Sequence, residues 1–447
     1  MRSTSRKTLA TLAACVAVVG IAPAAAQATV ASDAITYFRT QQNAAGGFSS
    51  AAGTFEEWAP SALSSLGVDS RTFATTGGVS LQRYLNGKWT ISTWRTAPTR
   101  LVATEFERAI LNAYAGGIDP ARMSDGGSPA APQNMIAQLA STYSFTGTTN
   151  GRYGNGALNT NVFGLLALAE TPAPGSSNLR VPRALLDETA DQLVADQHLD
   201  GGWDWIAGNP RARSDTDMTG ATLAALCGVG YTTADTVISN AVAYLRTQQV
   251  SGGGFTAGFG VNTDSTGWAI SGLNACGVNH STWVNGGGTP LSFLASQQIT
   301  TAGTDFGGFR YMPSQTVANF YSSIDSIRAY QGAGFTAAPL SWQTTPTFAS
   351  QNTPFALAIV DGVNNVRFCR VEAALDGSGR TTLGALLTAA RSASLPTGCV
   401  SSYSTSGTSI TDVNGYSGWN VRIDGGSAST ATTTTALGFG DTVTLER

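Results

Sequence analysis

Asp215-Thr-Asp217-Met218 is the stretch of this chain best equipped for chemistry. Two carboxyl groups two residues apart can act as an acid when burial keeps one protonated and the other polarises it. The competing use is structural, because Asp or Asn at a helix start accepts hydrogen bonds from orphan backbone N–H groups. The pattern recurs as Asn262-Thr-Asp264 and, in alignment, as Asn159-Thr-Asn161. Recurrence at equivalent sites ranks capping first, ligand contact second and acid catalysis by Asp215 and Asp217 last. The rest of the catalytic inventory is poor. The 2 histidines are His198, in a turn read as lying on the surface, and His280. Neither has the neighbours for a zinc site or a Ser-His-Asp triad. No metal site is expected and no cofactor is required.

The elements that would position these residues repeat along the chain. Three turns read Gln, three residues, Gly, one residue, aromatic: Gln42 to Phe48, Gln197 to Trp203 and Gln249 to Phe255. A fourth, Gln298 to Gly307-Gly308-Phe309, carries an insertion. Six helix starts can be aligned near Glu56, Thr104, Asn159, Asp215, Asn262 and Gln315. Each opens a run that is apolar on most faces, as in Val162 to Leu168, the mark of a helix enclosed by others. Several of these runs stop at Gly, which tolerates a left-handed φ. The preceding helix of each unit is amphipathic. In 182–197, Leu185, Leu186, Thr189, Leu193 and Val194 share one face, with Arg183, Asp187, Glu188 and Asp191 opposite. Such units bury their apolar faces only against neighbours. One outer and one inner helix, repeated, predicts an all-α (α/α)6 toroid over residues 32–335.

A Pro/Thr/Ser-rich linker is expected at 336–354 and a small β-rich domain at 355–447, with strands near 355–360, 366–371, 419–423 and 442–445 and one helix at 383–390. Residues 1–28 read as a signal peptide. Arg2, Arg6 and Lys7 precede an apolar Leu9–Ile21 stretch, with small-x-small cleavage sites at Ala24–Ala26 and Ala26–Ala28. The expected location is secreted, with lipid anchoring through Cys15 the less favoured route. Removal of the signal leaves Cys227, Cys276, Cys369 and Cys399. An even count in an oxidising compartment predicts disulfides. Cys227 and Cys276 each end a helix in consecutive units as Cys-Gly-Val, and Cys369 and Cys399 share the C-terminal domain. The expected pairs are therefore 227–276 and 369–399. Charged residues are 12% and net charge is −3, so no nucleic-acid partner is expected, and no later stretch is long and apolar enough to span a membrane. A monomer is expected.

The Gln-turns resemble the QW motifs of terpenoid cyclases. Residues 32–335 resemble the α/α toroid shared by terpenoid cyclases, protein prenyltransferases and the transcobalamin/intrinsic factor group, with repeats of the prenyltransferase/squalene-cyclase kind. Ile410 to Gly415, Gly418 to Asp424 and Gly438 to Val443 are similar to the C-terminal β domain of transcobalamin-like proteins. That layout implies a ligand held between toroid and β domain, with cobalamin or another corrinoid as the candidate. The cyclase resemblance implies that Asp217 stands at the proton donor and Asp215 at the first carboxylate of an Asp-x-Asp-Asp motif. Met218 replaces its last Asp. The zinc ligands of the prenyltransferases are not matched.

In a closed toroid the inner-helix starts gather at one mouth. This mouth would carry Glu56, Glu57, Trp58, Thr104, Glu105, Asn159, Asn161, Asp215, Asp217, Asp264, Gln315 and Asn319, with Trp203, Trp205, Phe255, Phe259, Phe309 and Tyr311 on adjacent turns. Tyr416 and Trp419 of the β domain would close it from above. Polar groups among aromatic walls suit a large, flat, neutral ligand. The preferred reading is a secreted, non-catalytic small-molecule carrier. The alternatives are a module for a cell-surface protein partner and a terpene-cyclase-like enzyme.

Overall fold

The computed structural model describes residues 24–48, 56–89, 102–123, 133–145, 147–209, 213–344, 352–362, 365–392 and 399–447. Most of the expected signal peptide, including Cys15, lies outside them. The helices are α1 (Ala24–Gln41), α2 (Ala59–Ser65, after a 3-10 turn at Glu56–Trp58), α3 (Leu81–Trp89), α4 (Val102–Ala115), α5 (Met135–Ala140), α6 (Leu158–Ala169), α7 (Arg183–Ala195), α8 (Thr216–Gly228), α9 (Thr236–Gln248), α10 (Thr263–Ala275), α11 (Pro290–Gln297), α12 (Phe320–Tyr330) and α13 (Leu383–Ser392). Two short hairpins, β1–β2 (Tyr143–Ser144, Arg152–Tyr153) and β3–β4 (Phe255–Ala257, Gly260–Asn262), interrupt the helical region. Among the described residues, no helix is long and apolar enough to cross a membrane.

Two kinds of helix alternate. The helices α2, α4, α6, α8, α10 and α12 pack against one another in that order, and α12 packs back onto α2. In α6 every residue except Asn159 is buried, as its unbroken apolar run requires. The intervening α7 instead buries Leu185, Leu186, Thr189, Ala190 and Leu193 along one stripe. The tightest neighbours are α8 and α10. A Cβ on Gly220 would lie 2.4 Å from Trp268 O, and one on Gly272 2.2 Å from Gly220 O, so only glycine permits this approach. Cys227–Cys276 links the far ends of the same two helices, with a Cα–Cα distance of 5.2 Å. The second disulfide joins Cys369 and Cys399, so both expected pairs are present. The first bridge closes a 49-residue separation. Replacing both of its cysteines with serine is expected to lower stability by about 2–4 kcal/mol, read as a lower urea midpoint.

The aromatic turns stitch the outer helices together. Each glutamine Nε2 donates to the carbonyl of its own turn glycine and to a carbonyl of the next unit. The second acceptors are Phe73 O for Gln42 (3.0 Å), Val237 O for Gln197 (2.7 Å) and Trp283 O for Gln249 (2.8 Å). Gln298 donates to Gly307 O and to Val30 O, both at 2.9 Å, which ties the last turn to α1. The turn glycines Gly46, Gly201, Gly253 and Gly307 all have φ between 85° and 97°. A Cβ on each would strike the backbone of the next unit.

The C-terminal strands are β5 (Asn352–Val360), β6 (Val366–Ala374), β7 (Arg380–Thr382), β8 (Tyr403–Ser406), β9 (Ser409–Val413), β10 (Asn420–Ile423), β11 (Ser429–Thr430), β12 (Ala436–Gly438) and β13 (Thr442–Glu446). A five-stranded sheet has the order β11-β10-β13-β5-β6, with β13 and β5 parallel and its other pairs antiparallel. Alternation along β5 explains its continuous apolar run. Phe355, Leu357 and Ile359 face the C-terminal core with α13, whereas Ala356, Ala358 and Val360 join the core of the helical region. The sheet packs there on α5 and α7. A charged clasp reinforces the contact. Arg122 donates to Phe439 O (2.7 Å) and pairs with Asp119 (2.7 Å), Asp441 (2.7 Å) and Asp424 (3.4 Å). The buried Arg180 holds Asp119 from the other side at 2.9 Å.

The expected linker is not free along its described length. Residues 333–344 cross the ends of the inner helices, and β5 already begins at Asn352. Ser64 Oγ donates to Ala338 O (2.6 Å), Gln343 N donates to Gly117 O (2.7 Å), and Trp342 meets Tyr114 edge-on at 5.4 Å.

Candidate functional site

The turns set the starts of the inner helices. Trp203, Phe255 and Phe309 are wholly buried. Their backbone N–H groups donate to the hydroxyls of Thr219 (3.0 Å), Thr266 (2.9 Å) and Ser323 (2.9 Å). Each hydroxyl donates in turn, at 2.7 Å, to the carbonyl of the residue four positions earlier, Asp215, Asn262 or Asn319. Those three residues are the N-caps. Asp215 Oδ1 accepts from Asp217 N (2.9 Å) and Met218 N (3.0 Å), Asn262 Oδ1 from Ser265 N (2.8 Å), and Asn319 Oδ1 from Tyr321 N (2.9 Å) and Ser322 N (3.1 Å). Asp215 is thus engaged as a cap, and its neighbour Asp217 is released from that duty.

Two alignments need correction. In the third unit the cap position is Ala157, which has no side-chain bond to give. Asn161 Oδ1 accepts from Tyr153 N (3.0 Å), the part played by Thr219 elsewhere, so Asn159 and not Asn161 corresponds to Asp217. In the last unit the helix starts at Phe320, and Gln315 lies on an exposed loop before the cap Asn319. His198 is also not on the surface. It is 4% exposed, with Nδ1 3.1 Å from Ser214 Oγ. Ser214 sits between His198 and Asp200, to which it donates, an arrangement that stiffens the turn and differs from a base-activated nucleophile.

Inside the helices that close on one another, side chains meet across a hollow. Phe163 of α6 and Trp268 of α10 touch over the intervening α8, with ring centroids 5.8 Å apart. Trp58 lies 5.8 Å from Phe163 and Trp205 6.2 Å from Trp268. Trp268 Nε1 donates to Asp325 Oδ2 (2.9 Å), and Asp325 pairs with the buried Arg328 at 2.8 Å. The Arg328 guanidinium lies 5.4 Å from the Trp58 ring. Asp217, Asp264, Trp268 and Asp325 stay partly exposed although they belong to inner helices, so water reaches this depth.

Burial pushes the Asp217 carboxyl up to about 7, and the nearby Asp215 adds to the rise. Burial also pushes Asp264 up to about 8, with Asp325 and Asp217 contributing. Ser265 and Ser322 pull the other way without reversing either shift. Asp325 is raised by burial despite Arg328. Asp217 Oδ1 and Asp264 Oδ1 are shielded from water and have no hydrogen-bond partner. Across the hollow, burial raises Glu57 although Lys88 Nζ lies 3.2 Å away, and Glu56 accepts from Lys88 and Tyr84 at 2.8 Å. Glu105 pairs with Arg108.

The loops leading into the same helices carry exposed apolar side chains: Trp205 at 43%, Ile206 at 68%, Phe259 at 82% and Val317 at 59%. Solvent-exposed bulk of this kind on three consecutive units makes an apolar rim. The β region reaches the same end. Asn134, capping α5, donates to Pro354 O (3.2 Å), and Tyr143, just past α5, meets Phe368, the partner of Ala358. β5 therefore runs alongside α5 toward the hairpin that leads to the start of α6. Arg447 N donates to Val360 O at that end of the sheet (3.3 Å), and the Arg447 guanidinium covers the half-exposed Tyr416 ring at 4.3 Å. Trp419 is different. It is 3% exposed in the C-terminal core, with Nε1 donating to Tyr416 O, and cannot close anything from above.

The sequence reading missed Phe163, Trp268, Asp325 and Arg328. All stand one or more turns inside their helices, where no cap or turn marks them. Counting six residues on from each corrected cap would have reached Phe163, Trp268 and Asp325. Among the described residues, no group of three His, Cys, Asp or Glu side chains is arranged to hold a metal ion. The arrangement instead offers carboxyls whose proton affinity is raised by burial, set among aromatic rings.

No family model and no curated protein matches the chain. Solved structures similar to it include haptocorrin in complex with Cbi, at 11% identity over 94% of this chain and 96% of that one, with a TM-score of 0.37. They also include a glycosidase, at 13% identity over 70% and 98% with a TM-score of 0.45. A third is the type II terpene cyclase MstE from Scytonema, at 15% identity over 69% and 97% with a TM-score of 0.42. Both sides of the sequence resemblance, the transcobalamin-like layout and the cyclase toroid, are thus represented. At these scores none of the three assigns an activity or a ligand to this chain.

Proposed function

We propose that this protein is a secreted, non-catalytic small-molecule carrier. Its helical region is an (α/α)6 toroid over 32–335, joined to a β domain at 355–447. The ligand enters at the end where the inner helices start and rests between that mouth and the β domain. Export is supported by the two disulfides. The observation that carries the reading is that Asp217, Asp264, Trp268 and Asp325 of the inner helices stay partly exposed to water, with Trp205 in ring contact with Trp268 and Phe259 exposed on the loop before α10. Carboxyl groups that water reaches among aromatic rings are groups to which a ligand can hydrogen-bond. A flat, amide-rich neutral molecule meets both the aromatic walls and these acceptors, and a corrinoid is the candidate.

The test is retention of cobinamide or cobalamin absorbance after incubation and desalting. The expected result is a retained spectrum. The double variant Trp205→Ala, Phe259→Ala should weaken binding about tenfold or more, the equivalent of about 1.4 kcal/mol. An unchanged protein spectrum with both corrinoids counts against the carrier. A second reading, acid chemistry on a polyprenyl substrate, is favoured by one observation, the carboxyl of Asp217 held near neutrality. Squalene turnover that disappears in Asp217→Asn would support it. Absence of both leaves the cell-surface protein partner.

A further inference from the structure

Phe163 and Trp268 of the ring helices meet inside the ring, and a side chain from outside the ring helices packs against both. We infer that Phe335, carried by the segment that connects the ring to the β region, closes the hollow at the far end from the mouth and sets how deep a ligand can reach. This rests on the reading that a small molecule enters at the mouth.

After Tyr330, Gly332 turns the chain in a left-handed conformation, with φ of 78°. Ala333 N donates back to Arg328 O (3.0 Å), and the chain passes under the inner helices. Phe335 then sits among their side chains. Its ring is 5.0 Å from Trp268, 5.8 Å from Phe163 and 5.0 Å from the Arg328 guanidinium. These are the groups that line the hollow from α6, α10 and α12. Exposure distinguishes the levels. Trp268 and Asp325 are reached by water, whereas Phe335 is 1% exposed. Beyond Phe335 the segment is pinned to the ends of α2 and α4 through Ala338, Trp342 and Gln343. The residue therefore does not behave as one side of a tunnel. It is a stopper held from below, and the site is a cup open at one end.

A homologous series of linear primary alcohols, hexanol to hexadecanol, reads the depth directly, with tryptophan emission as the signal. Each methylene that enters an apolar site improves affinity about fourfold, and the gain ends when the chain meets the floor. The wild-type protein should show such a cut-off. Phe335→Ala should move it to chains two to four carbons longer, and Phe335→Leu, which keeps more of the packing, should move it less. Leu340→Ser, at an exposed position of the same segment, should leave it in place. An identical cut-off in wild type and Phe335→Leu overturns the inference, as does a wild-type protein that binds no alcohol. A shifted cut-off without corrinoid retention supports the floor and removes the carrier. Corrinoid retention with an unshifted cut-off does the reverse.

Discussion

Gly307→Ala is expected to destabilise the protein by at least about 3 kcal/mol. Two costs add. The residue has φ of 85°, a left-handed conformation that costs an L side chain about 1–2 kcal/mol. A Cβ there would also stand 1.8 Å from Asp33 O and 2.4 Å from Asp33 C. Those atoms are backbone in the middle of α1, so no rotamer change relieves the clash. The effect is larger than for an ordinary turn glycine because of where the turn sits. Gln298, in the same turn, donates to Val30 O, and Phe309 N is held by Ser323 at the start of α12. Disturbing Gly307 therefore opens the seam between the last unit and the first and loosens one side of the mouth. Gly230→Ala is the control. Its φ is 93° but nothing lies within 4 Å of the added Cβ, so only the conformational cost of about 1–2 kcal/mol applies. Urea midpoints of the two variants should differ in that order. Equal midpoints would mean that the contact with α1 contributes nothing.

Stability should fall as pH rises from about 5 to about 9, and much of that fall should vanish in Asp217→Asn, Asp264→Asn. The sign follows from proton binding. In the unfolded chain both carboxyls titrate near 4. In the folded protein burial moves them to about 7 and about 8. Between these limits the folded state holds protons that the unfolded state has released, so each rise in pH favours unfolding. The contribution is complete below about pH 4 and is lost as pH passes through 7 and 8. The summed effect is several kcal/mol, because a tenfold change in proton affinity is worth about 1.4 kcal/mol and each group holds its proton over more than one pH unit of the range. Burial raises Glu170 to about 8 and Asp441 to about 6, and these give a slope of the same sign in both proteins. The difference between wild type and variant isolates the mouth. A wild type and variant with parallel pH–stability curves from 5 to 9 would show that Asp217 and Asp264 are ordinary carboxylates.

Much of this architecture is legible in the chain alone. Gln42, Gln197, Gln249 and Gln298 each precede a glycine and an aromatic, and a short local pattern is enough to mark such a turn. Cys227 and Cys276 share a context, so their pairing follows from the repeat. Asp215 and Asn262 are recognisable as caps because a cap is a local bond. Ala157 is not, since a capping position filled by alanine leaves no trace, and the alignment slides to the nearest asparagines. Gln315 stands in for Asn319 for the same kind of reason, an insertion that shifts the count. Trp419 shows the limit of strand periodicity. Alternation identifies two faces without saying which one meets the core. Phe335 is invisible because its role depends on Phe163, Trp268 and Arg328, all distant in sequence and brought together only by the closure of the ring. Asp217 and Asp264 are identifiable as neighbours of caps, but their raised proton affinity comes from tertiary burial and from Asp325.

The most direct test of the central claim, that a ligand is taken at the mouth where the inner helices start, is hydrogen–deuterium exchange with and without cobinamide. Slower exchange is expected, concentrated in 203–219, 255–266 and 309–323, and in the loop around Tyr416. Slowed exchange confined to the outer helices or to the sheet, with those segments unchanged, would contradict it.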